Sequence, residues 1–343
     1  MHFCRSIMAM ENKIGFGVLG LGHIGQKHCL HISENPNAEL FAIADINQNL
    51  AFGSLKNLEN IEAICNNQMV DVVNICTPNG FHAQHAIYAL NHQKHVVIEK
   101  PIALSTNECL SIEKAAKAND KHVFCVMQNR FSPPSLWLKS IIQENILGEI
   151  YTIQVQCYWN RDHRYYVPNH WHGNLKLDGG PLFTQFSHFI DLLYWIFGDI
   201  QISHAEFKNF NHHKNTQFED SGIINFNLPN KNTFGSFHYS TSVYDKNFES
   251  SISIVAEKGT VKLGGQYMNE ISYCHIENYN LPEIAESNPP NHYGNYVGSA
   301  ANHPFVIQNV IDTLCNNANP HTTLSEGAAV VKIIENMYQS RIL

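Results

Sequence analysis

Three glycines spaced for a phosphate-binding turn are the first chemically informative feature of this 343-residue chain. Gly20, Gly22 and Gly25 follow residues 14–19, an apolar run short enough for a buried parallel strand. In such a strand-to-helix turn, the first glycine permits the tight bend, the second lets the backbone approach a pyrophosphate, and the third lets helix pack on strand. The helix N-terminus then binds the phosphates. The candidate cofactor-binding residues of this segment are Gly20, Gly22, His23, Ile24 and Gly25.

An acidic residue at the end of the next strand indicates which dinucleotide the turn binds. Residues 39–44 form a second apolar run that ends in Asp45, 20 residues after Gly25, where a ribose-binding acid belongs. A carboxylate accepts hydrogen bonds from the ribose 2′-hydroxyl and repels the 2′-phosphate of NADP. We therefore predict NAD as the cofactor. The alternative is that Asp45 ends the strand only because aspartate favours turns.

Two loops downstream are expected to face the same cofactor. Residues 70–76 and 95–98 are predicted parallel strands, separated by a helix over residues 82–91, and this alternation predicts a doubly wound parallel sheet. Open sheets of this kind bind ligands beyond the carboxyl ends of their strands, and a polar loop follows each of these two runs. The candidate cofactor-binding residues of the two loops are Thr77, Pro78, Asn79, His82, Glu99 and Lys100.

These motifs resemble those of the Gfo/Idh/MocA oxidoreductases (glucose-fructose oxidoreductase, inositol dehydrogenase and rhizopine-catabolism proteins). The resemblance covers nearly the whole chain and rests on the glycine turn, on Thr77-Pro78-Asn79 followed by His82, on Glu99-Lys100-Pro101, and on Gly179-Gly180 followed by His188. It implies an α/β protein with an N-terminal Rossmann domain and a C-terminal α/β domain built on a largely antiparallel open sheet. It also implies an active site between the domains and a homo-oligomer, either a dimer or a tetramer.

Carried over to this sequence, the family pattern makes Lys100 the active-site lysine and His188 the acid/base. Oxidation of an alcohol by hydride transfer requires a group that accepts the hydroxyl proton, and histidine, with an ordinary pKa of about 6.5, is suited to this at neutral pH. A nearby ammonium then favours the developing alkoxide. The alternatives are a solvated lysine before a strand-ending proline, and a hydrogen-bonded core histidine on an apolar helix.

One departure from the family pattern bears on the substrate. Many relatives carry an aspartate four residues before the histidine, on the same helical face, where this chain has Thr184. An aspartate–histidine relay of the inositol dehydrogenase type is therefore not expected. Sugar-nucleotide 3-dehydrogenases of the family often carry an uncharged residue at this position, so the resemblance is closest to them. Asp191, one helical turn after His188, is a candidate for supporting the histidine.

A polar and aromatic insert, residues 158–166, precedes this helix and is followed by Trp171. Two arginines among aromatic rings suit a phosphate and a stacked ring or sugar face. The alternative is a subunit interface, where arginine and aromatic residues are also enriched. The candidate substrate-binding residues are Arg161, Arg164, Tyr166, Trp171, Thr184 and Asp191.

Together these residues predict NAD-dependent oxidation of a secondary hydroxyl, at C3 of a nucleotide-linked hexosamine or uronate used in polysaccharide or lipopolysaccharide biosynthesis. The nearer alternative is the same reaction on a free polyol or pyranoside. The remoter alternative is an NAD-bound sensor without turnover, against which the presence of both Lys100 and His188 argues.

Composition argues against several other classes of function. The net charge of −8 and the pI of about 6.2 argue against a nucleic-acid-binding protein, for which a basic face is expected. No apolar run approaches the roughly 20 residues that span a bilayer. Residues 1–10 lack the apolar core of a signal peptide and are expected to form a tail. The nine cysteines form no C-x-x-C pair, which fits reduced thiols in the cytoplasm.

The 21 histidines do not by themselves indicate a metal site. The pairs at residues 212 and 213, 170 and 172, and 82 and 85 lack a partner Cys, Asp or Glu at a recognised metal-ligand spacing. We therefore predict no bound metal.

The predicted domain boundary falls near residues 128–133 and divides the chain into a Rossmann domain over 11–130 and a substrate-binding and oligomerisation domain over 131–343. In the second domain we predict helices over residues 134–145, around His188, and over 298–316 and 325–340, the last with Ser325 as its N-cap. Strands are predicted over residues 149–158, 200–208, 220–228, 233–241, 250–256 and 259–264.

Overall fold

The computed structural model describes residues 13–294 and 296–341; the predicted N-terminal tail, residues 1–10, lies outside them. The first half of the chain contains six strands: β1 Ile14–Leu19, β2 Ala38–Ala44, β3 Asn57–Leu58, β4 Val72–Ile75, β5 His95–Ile98 and β6 Val123–Cys125. They form one parallel sheet in the order β3-β2-β1-β4-β5-β6. The strand order reverses at β1, as in a Rossmann sheet, so the predicted doubly wound fold is confirmed.

Helices cover both faces of this sheet, which explains why its strands are largely apolar. The helices that follow the first five strands are α1 His23–Glu34, α2 Ile61–Cys65, α3 His82–Asn91 and α4 Thr106–Asn119. Helices α2, α3 and α4 pack in one hydrophobic cluster, and α1 packs in a second cluster on the other face. The loops between strand ends and helix starts therefore meet at one edge of the sheet.

The second half is built on a seven-stranded sheet. Its strands are β7 Ile150–Tyr158, β8 Gln201–Lys208, β9 Ser221–Asn227, β10 Phe234–Ser240, β11 Glu249–Ala256, β12 Gly259–Gly264 and β13 Glu270–Ile276. The order is β13-β12-β11-β7-β10-β9-β8, and every neighbouring pair is antiparallel except β7 with β10. Buried and exposed residues alternate along β9, as expected when one face is packed and the other is open. The predicted, largely antiparallel open sheet is confirmed.

The remaining elements of the second half surround the region where the two halves meet. The helices are α5 Pro133–Gln143, α6 Leu175–Asp178, α7 Pro181–Thr184, α8 Ser187–Phe197, α9 His303–Asn316 and α10 Leu324–Gln339. A short antiparallel hairpin, β14 Pro290–His292 and β15 Val297–Ala300, precedes α9. Among the residues that the structure describes, no helix is both long and apolar enough to cross a membrane.

The structure corrects two predicted helix starts. Residues 298–300 lie in β15, and α9 begins only at His303, because Pro304 fixes the first turn. The last helix is capped by Thr323 and not by Ser325. Thr323 and Glu326 form a reciprocal capping box, in which each side chain accepts a hydrogen bond from the other residue's backbone N–H.

Helix α9 belongs to the C-terminal part of the chain, after the predicted boundary between residues 130 and 131, but it packs against the Rossmann half. Val306, Ile307, Val310 and Ile311 of α9 lie in the same hydrophobic cluster as the β1 and α1 side chains. The side chain of Asn35 also donates a 2.8 Å hydrogen bond to Gln308 of α9. The helix layer of the Rossmann half is therefore completed by a helix from the C-terminal part of the chain, which a linear division into two domains does not capture.

The glycine turn provides a test of this packing. A Cβ atom at Gly25 would lie 1.8 Å from the Gly20 carbonyl oxygen, whereas a Cβ at Gly22 meets nothing within 4 Å. We expect Gly25→Ala to lower the free energy of unfolding by about 1–3 kcal/mol, the usual cost of overpacking. The matched Gly22→Ala change should alter it by less than about 0.5 kcal/mol. Urea unfolding of the cofactor-free proteins measures both values, and equal stability of the two variants would contradict this account of the turn.

Candidate active site

A cavity of about 990 Å³ lies at the carboxyl edge of the parallel sheet. Its walls come from the glycine turn, the loops after β4 and β5, the insert between β7 and α6, and the β14–β15 hairpin. This is the position at which open α/β sheets bind ligands. Of the residues predicted for the site, the cavity is lined by Gly20, Gly22, His23, Ile24, Asp45, Thr77, Pro78, Asn79, His82, Glu99, Lys100, Arg161, Arg164, Trp171, Thr184 and His188.

The glycine turn has the geometry that a dinucleotide requires. Gly20 has a φ of +91°, a backbone conformation that side-chain-bearing residues rarely adopt. Gly22 caps α1 without any side-chain hydrogen bond and leaves open space where a Cβ would stand. The first N–H groups of α1 are thus accessible to phosphate oxygens. Gly25 acts by letting α1 pack on the turn and does not line the cavity.

Asp45 is held rigidly beside this turn. One carboxylate oxygen accepts a 2.6 Å hydrogen bond from the Leu21 backbone N–H, and the other accepts a 2.8 Å bond from Asn47. The side chain lies at the end of β2 and lines the cavity. Its position fits the hydroxyls of an adenosine ribose bound over the glycine turn.

His82 and Asn79 hold the loops of the cavity in place. The two ring nitrogens of His82 lie 2.6 Å from the Pro101 carbonyl oxygen and 2.7 Å from that of Thr77, which ties the two cofactor loops together. Burial lowers the pKa of His82. The Asn79 amide donates 2.8 Å hydrogen bonds to the Asp178 carbonyl and the Thr184 hydroxyl. Both side chains are therefore already engaged by protein groups, and Asn79 connects the Rossmann half to the second half.

Lys100 lies at the centre of the cavity wall. Its ammonium donates a hydrogen bond to the Thr184 carbonyl oxygen across the boundary between the two halves. Burial lowers the pKa of Lys100 from its ordinary value, while the nearby carboxylates of Glu99 and Asp178 act in the opposite direction. The ammonium is thus fixed in position, with a pKa below the ordinary lysine value.

His188 faces the same cavity from α8. The residue is buried, and its Nδ1 has no hydrogen-bond partner among residues 13–294 and 296–341. Burial, reinforced by the positive charge of Lys100, holds the pKa of His188 well below its ordinary value. At neutral pH the imidazole is therefore uncharged and able to accept a proton.

Glu99 takes part in a buried network that the sequence did not reveal. Its Oε1 lies 2.9 Å from Nε2 of His28 on α1 and 3.2 Å from Nε2 of His303 on α9, and Asn74 binds the other nitrogen of the His28 ring. Although burial alone would raise the pKa of Glu99, the two imidazoles hold it well below its ordinary value. Glu99, His28 and His303 each contribute one atom of a kind that can bind a metal, and these three atoms lie within 4.8 Å of one another. They satisfy one another here through hydrogen bonds, and residues so distant along the chain leave no spacing signal.

Arg161 lies buried in the cavity wall without an acidic partner. Its guanidinium is 4.8 Å from the Trp159 ring, 5.3 Å from the Tyr165 ring and 5.1 Å from the Tyr296 ring. It donates hydrogen bonds to the backbone carbonyls of Asn160 and Val297 and to the Asn247 side chain. In the described part of the chain no carboxylate pairs with it, and its Nε has no hydrogen-bond partner.

Arg164 differs from Arg161 because its charge is already neutralised. Its guanidinium lies 2.8 Å from an Asp162 oxygen and 3.5 Å from an Asp245 oxygen, and the side chain is partly exposed. Phosphate binding by Arg164 stays a prediction, and its guanidinium already pairs with two carboxylates. Trp171 lines the cavity as expected.

Tyr166 and Asp191 lie outside the cavity lining, which corrects their expected contact with substrate. Tyr166 is turned into the second half, where it packs against the rings of His212 and Phe218. Asp191 is buried and forms a two-pronged ion pair with Arg130, at 2.6 and 2.9 Å. A carboxylate bound in this way anchors α8 to the segment after β6 and cannot support His188.

Asp178 supplies a buried carboxylate near the site that was not predicted from the sequence. It is buried, and it accepts hydrogen bonds from the Thr184 hydroxyl and, at 2.9 Å, from the Gly173 N–H. Although Thr184 itself carries no charge, a carboxylate from six residues upstream lies at its hydroxyl. The available signal was its position just before Gly179 and Gly180, whose positive φ angles turn the chain sharply at this point.

Models of one protein family match most of the chain. Residues 14–127 match GFO_IDH_MocA, described as an oxidoreductase family with an NAD-binding Rossmann fold. Residues 139–341 match GFO_IDH_MocA_C, the C-terminal alpha/beta domain of that oxidoreductase family. The two matches flank the segment where the domain boundary was predicted.

Individual relatives agree with this assignment. The chain is similar to the WlbA dehydrogenase of Chromobacterium violaceum, solved with NADH and UDP-GlcNAcA, with 29% identity, a TM-score of 0.85, and coverage of 96% of this chain and 94% of that one. WlbA of Bordetella pertussis, solved with the same two ligands, gives 28% identity, a TM-score of 0.83 and coverage of 96% of both chains. Glucose-6-phosphate 3-dehydrogenase of Bacillus subtilis is 27% identical over 303 residues, which are 82% of this chain and 84% of that protein.

The geometry of the cavity agrees with these matches at each part of the cofactor site. The glycine turn, Asp45 and the Lys100 loop lie where an NAD-binding Rossmann half requires them. The chain therefore belongs to the Gfo/Idh/MocA family of NAD-dependent oxidoreductases.

Proposed function

We propose that this protein oxidises a secondary hydroxyl of an anionic sugar, at C3 of a nucleotide-linked hexosamine or its uronate, with NAD as the acceptor. The observation that carries the proposal is the buried guanidinium of Arg161, which has no acidic partner among the described residues. A buried charge is costly unless it is paired. A substrate carboxylate or phosphate supplies the missing partner through charge-assisted hydrogen bonds.

The location of Arg161 supports binding of this anion near the proposed reacting carbon. Its charge is close enough to Lys100 to contribute to lowering the pKa of that lysine. Tyr165 and Trp171 line the same part of the cavity, and such rings suit the apolar face of a pyranose. An acidic group on the sugar itself, or on a phosphate next to it, fits this arrangement better than a neutral polyol does.

The division of labour between Lys100 and His188 follows from their charges. NAD, when bound over the glycine turn, supplies the hydride acceptor. The uncharged His188 accepts the hydroxyl proton as the carbinol is oxidised. The Lys100 ammonium, held by the Thr184 carbonyl, stabilises the negative charge that develops on the carbinol oxygen. Burial of both groups strengthens these interactions by excluding water.

Two of the relatives support the nucleotide-linked reading, because both WlbA structures hold NADH and UDP-GlcNAcA. A role in polysaccharide or lipopolysaccharide biosynthesis is proposed on the same basis. The second candidate is a phosphorylated free sugar, which Arg161 would also bind. It is favoured by the similarity to a glucose-6-phosphate 3-dehydrogenase. A free polyol leaves the buried Arg161 without an anionic partner.

The first prediction concerns the catalytic pair. Lys100→Met and His188→Asn should each lower kcat by roughly 10²–10⁴-fold, the scale of electrostatic and acid–base groups, while the dissociation constant for NAD stays nearly unchanged. The matched control is His163→Asn, because His163 is exposed and lies outside the cavity lining. Steady-state kinetics and NAD titration measure both quantities. A His188→Asn enzyme with near-wild-type kcat would contradict the assigned base.

The same pair predicts the pH profile of oxidation. Since the pKa of His188 is lowered, its basic form persists below pH 6.5, and the acid limb of kcat/KM should lie below that value. The alkaline limb, set by Lys100, should begin below the ordinary lysine pKa of about 10.4. An acid limb above pH 7 would be inconsistent with a neutral, desolvated His188.

The second prediction concerns cofactor choice. NAD should bind more tightly than NADP by at least about 1–3 kcal/mol, because the 2′-phosphate would meet the Asp45 carboxylate and replace its hydrogen bonds. Asp45→Asn, which removes the charge at similar volume, should narrow the difference. Fluorescence titration with NADH and NADPH measures it. Equal affinities in the wild-type protein would refute this role of Asp45.

The third prediction tests the anion site. Arg161→Ala should weaken binding of UDP-N-acetylglucosaminuronic acid to the NADH-loaded protein by roughly 1.5–3 kcal/mol, or about 10- to 150-fold. Arg164→Ala is the matched control, since Arg164 already pairs with Asp162, and it should change the affinity only a few-fold. Isothermal titration calorimetry measures both.

Two further ligands in that titration locate the anion. If UDP-N-acetylglucosamine loses much less affinity than the uronate in Arg161→Ala, the guanidinium binds the sugar carboxylate. An equal loss for UDP alone assigns it to the diphosphate. If no UDP ligand produces heat and the enzyme turns over inositol or glucose, the substrate is a free polyol or pyranoside and not a nucleotide-linked sugar.

A further inference from the structure

His172 is a buried histidine in the cavity wall for which the reaction above has no use. Its ring lies between those of Trp171 and Tyr165, with centroids 3.7 and 4.1 Å away. The side chain is only 11% exposed and lines the cavity. Burial lowers its pKa from the ordinary value, so the ring is uncharged at neutral pH. A neutral imidazole packed against two aromatic rings in the cavity wall can accept a proton.

The carboxylate of Asp178 lies behind this imidazole. Oδ2 of Asp178 is 3.7 Å from Nδ1 of His172, and the carboxylate is fixed by hydrogen bonds from the Gly173 N–H and the Thr184 hydroxyl. At this distance the contact is electrostatic and not a hydrogen bond, and Nδ1 of His172 has no hydrogen-bond partner among the described residues. The negative charge nevertheless favours the tautomer with its proton on the facing nitrogen. Nε2 is then left with its lone pair. A histidine–aspartate pair of this kind is distinct from His188, which has no carboxylate partner among the described residues.

This pair is connected to the Lys100 ammonium through two contacts. Asp178 binds the Thr184 hydroxyl, and the Thr184 carbonyl oxygen accepts the hydrogen bond from Lys100. The carboxylate is also close enough to Lys100 to raise the pKa of that lysine. His172 and His188 line the same cavity, His172 from the insert and His188 from α8.

We propose that His172, oriented by Asp178, is a second acid/base group that exchanges the proton on the carbon next to the newly formed ketone. The proposal rests on the proposed function, which supplies that ketone. Nε2 takes the α-proton, the C–H electrons form the carbon–carbon double bond of an enolate, and the carbonyl electrons move onto oxygen, where the Lys100 ammonium stabilises them. The imidazolium exchanges its proton with solvent and returns one to carbon. The ketone is restored, and no oxidant or reductant is consumed.

Deuterium incorporation tests this activity. The full-length enzyme is incubated with NAD and UDP-N-acetylglucosaminuronic acid in D₂O, NADH formation is followed by absorbance, and the recovered sugar is analysed by mass spectrometry and proton NMR. We expect deuterium at a carbon adjacent to the oxidised one, at a rate above that of the released keto-sugar without enzyme. In His172→Asn the ratio of exchange to hydride transfer should fall on the order of 10²-fold.

His170→Asn is the matched control, because His170 lines the same cavity and stacks on His172 at 4.8 Å but forms no ion pair with Asp178; its exchange ratio should stay at the wild-type value. Thermal melting checks that each variant folds, and His172→Gln replaces His172→Asn if the latter does not. Exchange at the enzyme-free rate in wild type, or an unchanged ratio in the His172 variant, overturns the proposal. Absence of NADH with this sugar contradicts the proposed substrate instead, and with it the activity built on that ketone.

Discussion

The hydrogen bond from the Lys100 ammonium to the Thr184 carbonyl oxygen is the contact on which the rest of the site depends. Lys100 follows a strand of the Rossmann half, and Thr184 ends a short helix of the second half. Asn79 adds a parallel connection by donating hydrogen bonds to Thr184 and to the Asp178 carbonyl. Because these contacts cross the boundary, the loop expected to face the nicotinamide and the wall that faces the sugar are positioned by the same few atoms. The cavity exists only when both halves are folded together.

Charge balance is the second constraint on this cavity. Arg161, Asp178 and Glu99 are buried, and Lys100 beside them is half-buried. Glu99 is satisfied by His28 and His303, and Asp178 by Thr184 and the Gly173 N–H. Arg161 forms no ion pair among the described residues, and its Nε has no hydrogen-bond partner there. An incompletely paired guanidinium in a cavity wall favours an anionic ligand over a neutral one.

Sequence patterns predicted the parts of this molecule that are local. The bounds of β1, β5 and α3 were predicted at the residues where they occur, because apolar runs and turn residues determine buried strands and their ends. Lys100 and His188 were assigned through the family resemblance, and both line the cavity. The sequence could not reveal which charges meet. Arg164 is neutralised because it pairs with Asp162. Asp191 anchors helix α8 because it pairs with Arg130. In the Glu99 network, His28 lies 71 positions and His303 lies 204 positions from Glu99 along the chain. Sequence periodicity carries no signal over such separations.

A crystal structure of this protein with NADH and UDP-N-acetylglucosaminuronic acid tests the proposed roles of Lys100, His188 and Arg161 most directly. We expect the C3 hydroxyl oxygen to lie within hydrogen-bond distance, about 2.6–3.2 Å, of both the Lys100 Nζ and a ring nitrogen of His188. We also expect the Arg161 guanidinium to bind an anionic oxygen of the ligand. A sugar bound with its C3 hydroxyl away from Lys100 and His188, or with Arg161 contacting protein atoms alone, would contradict the account.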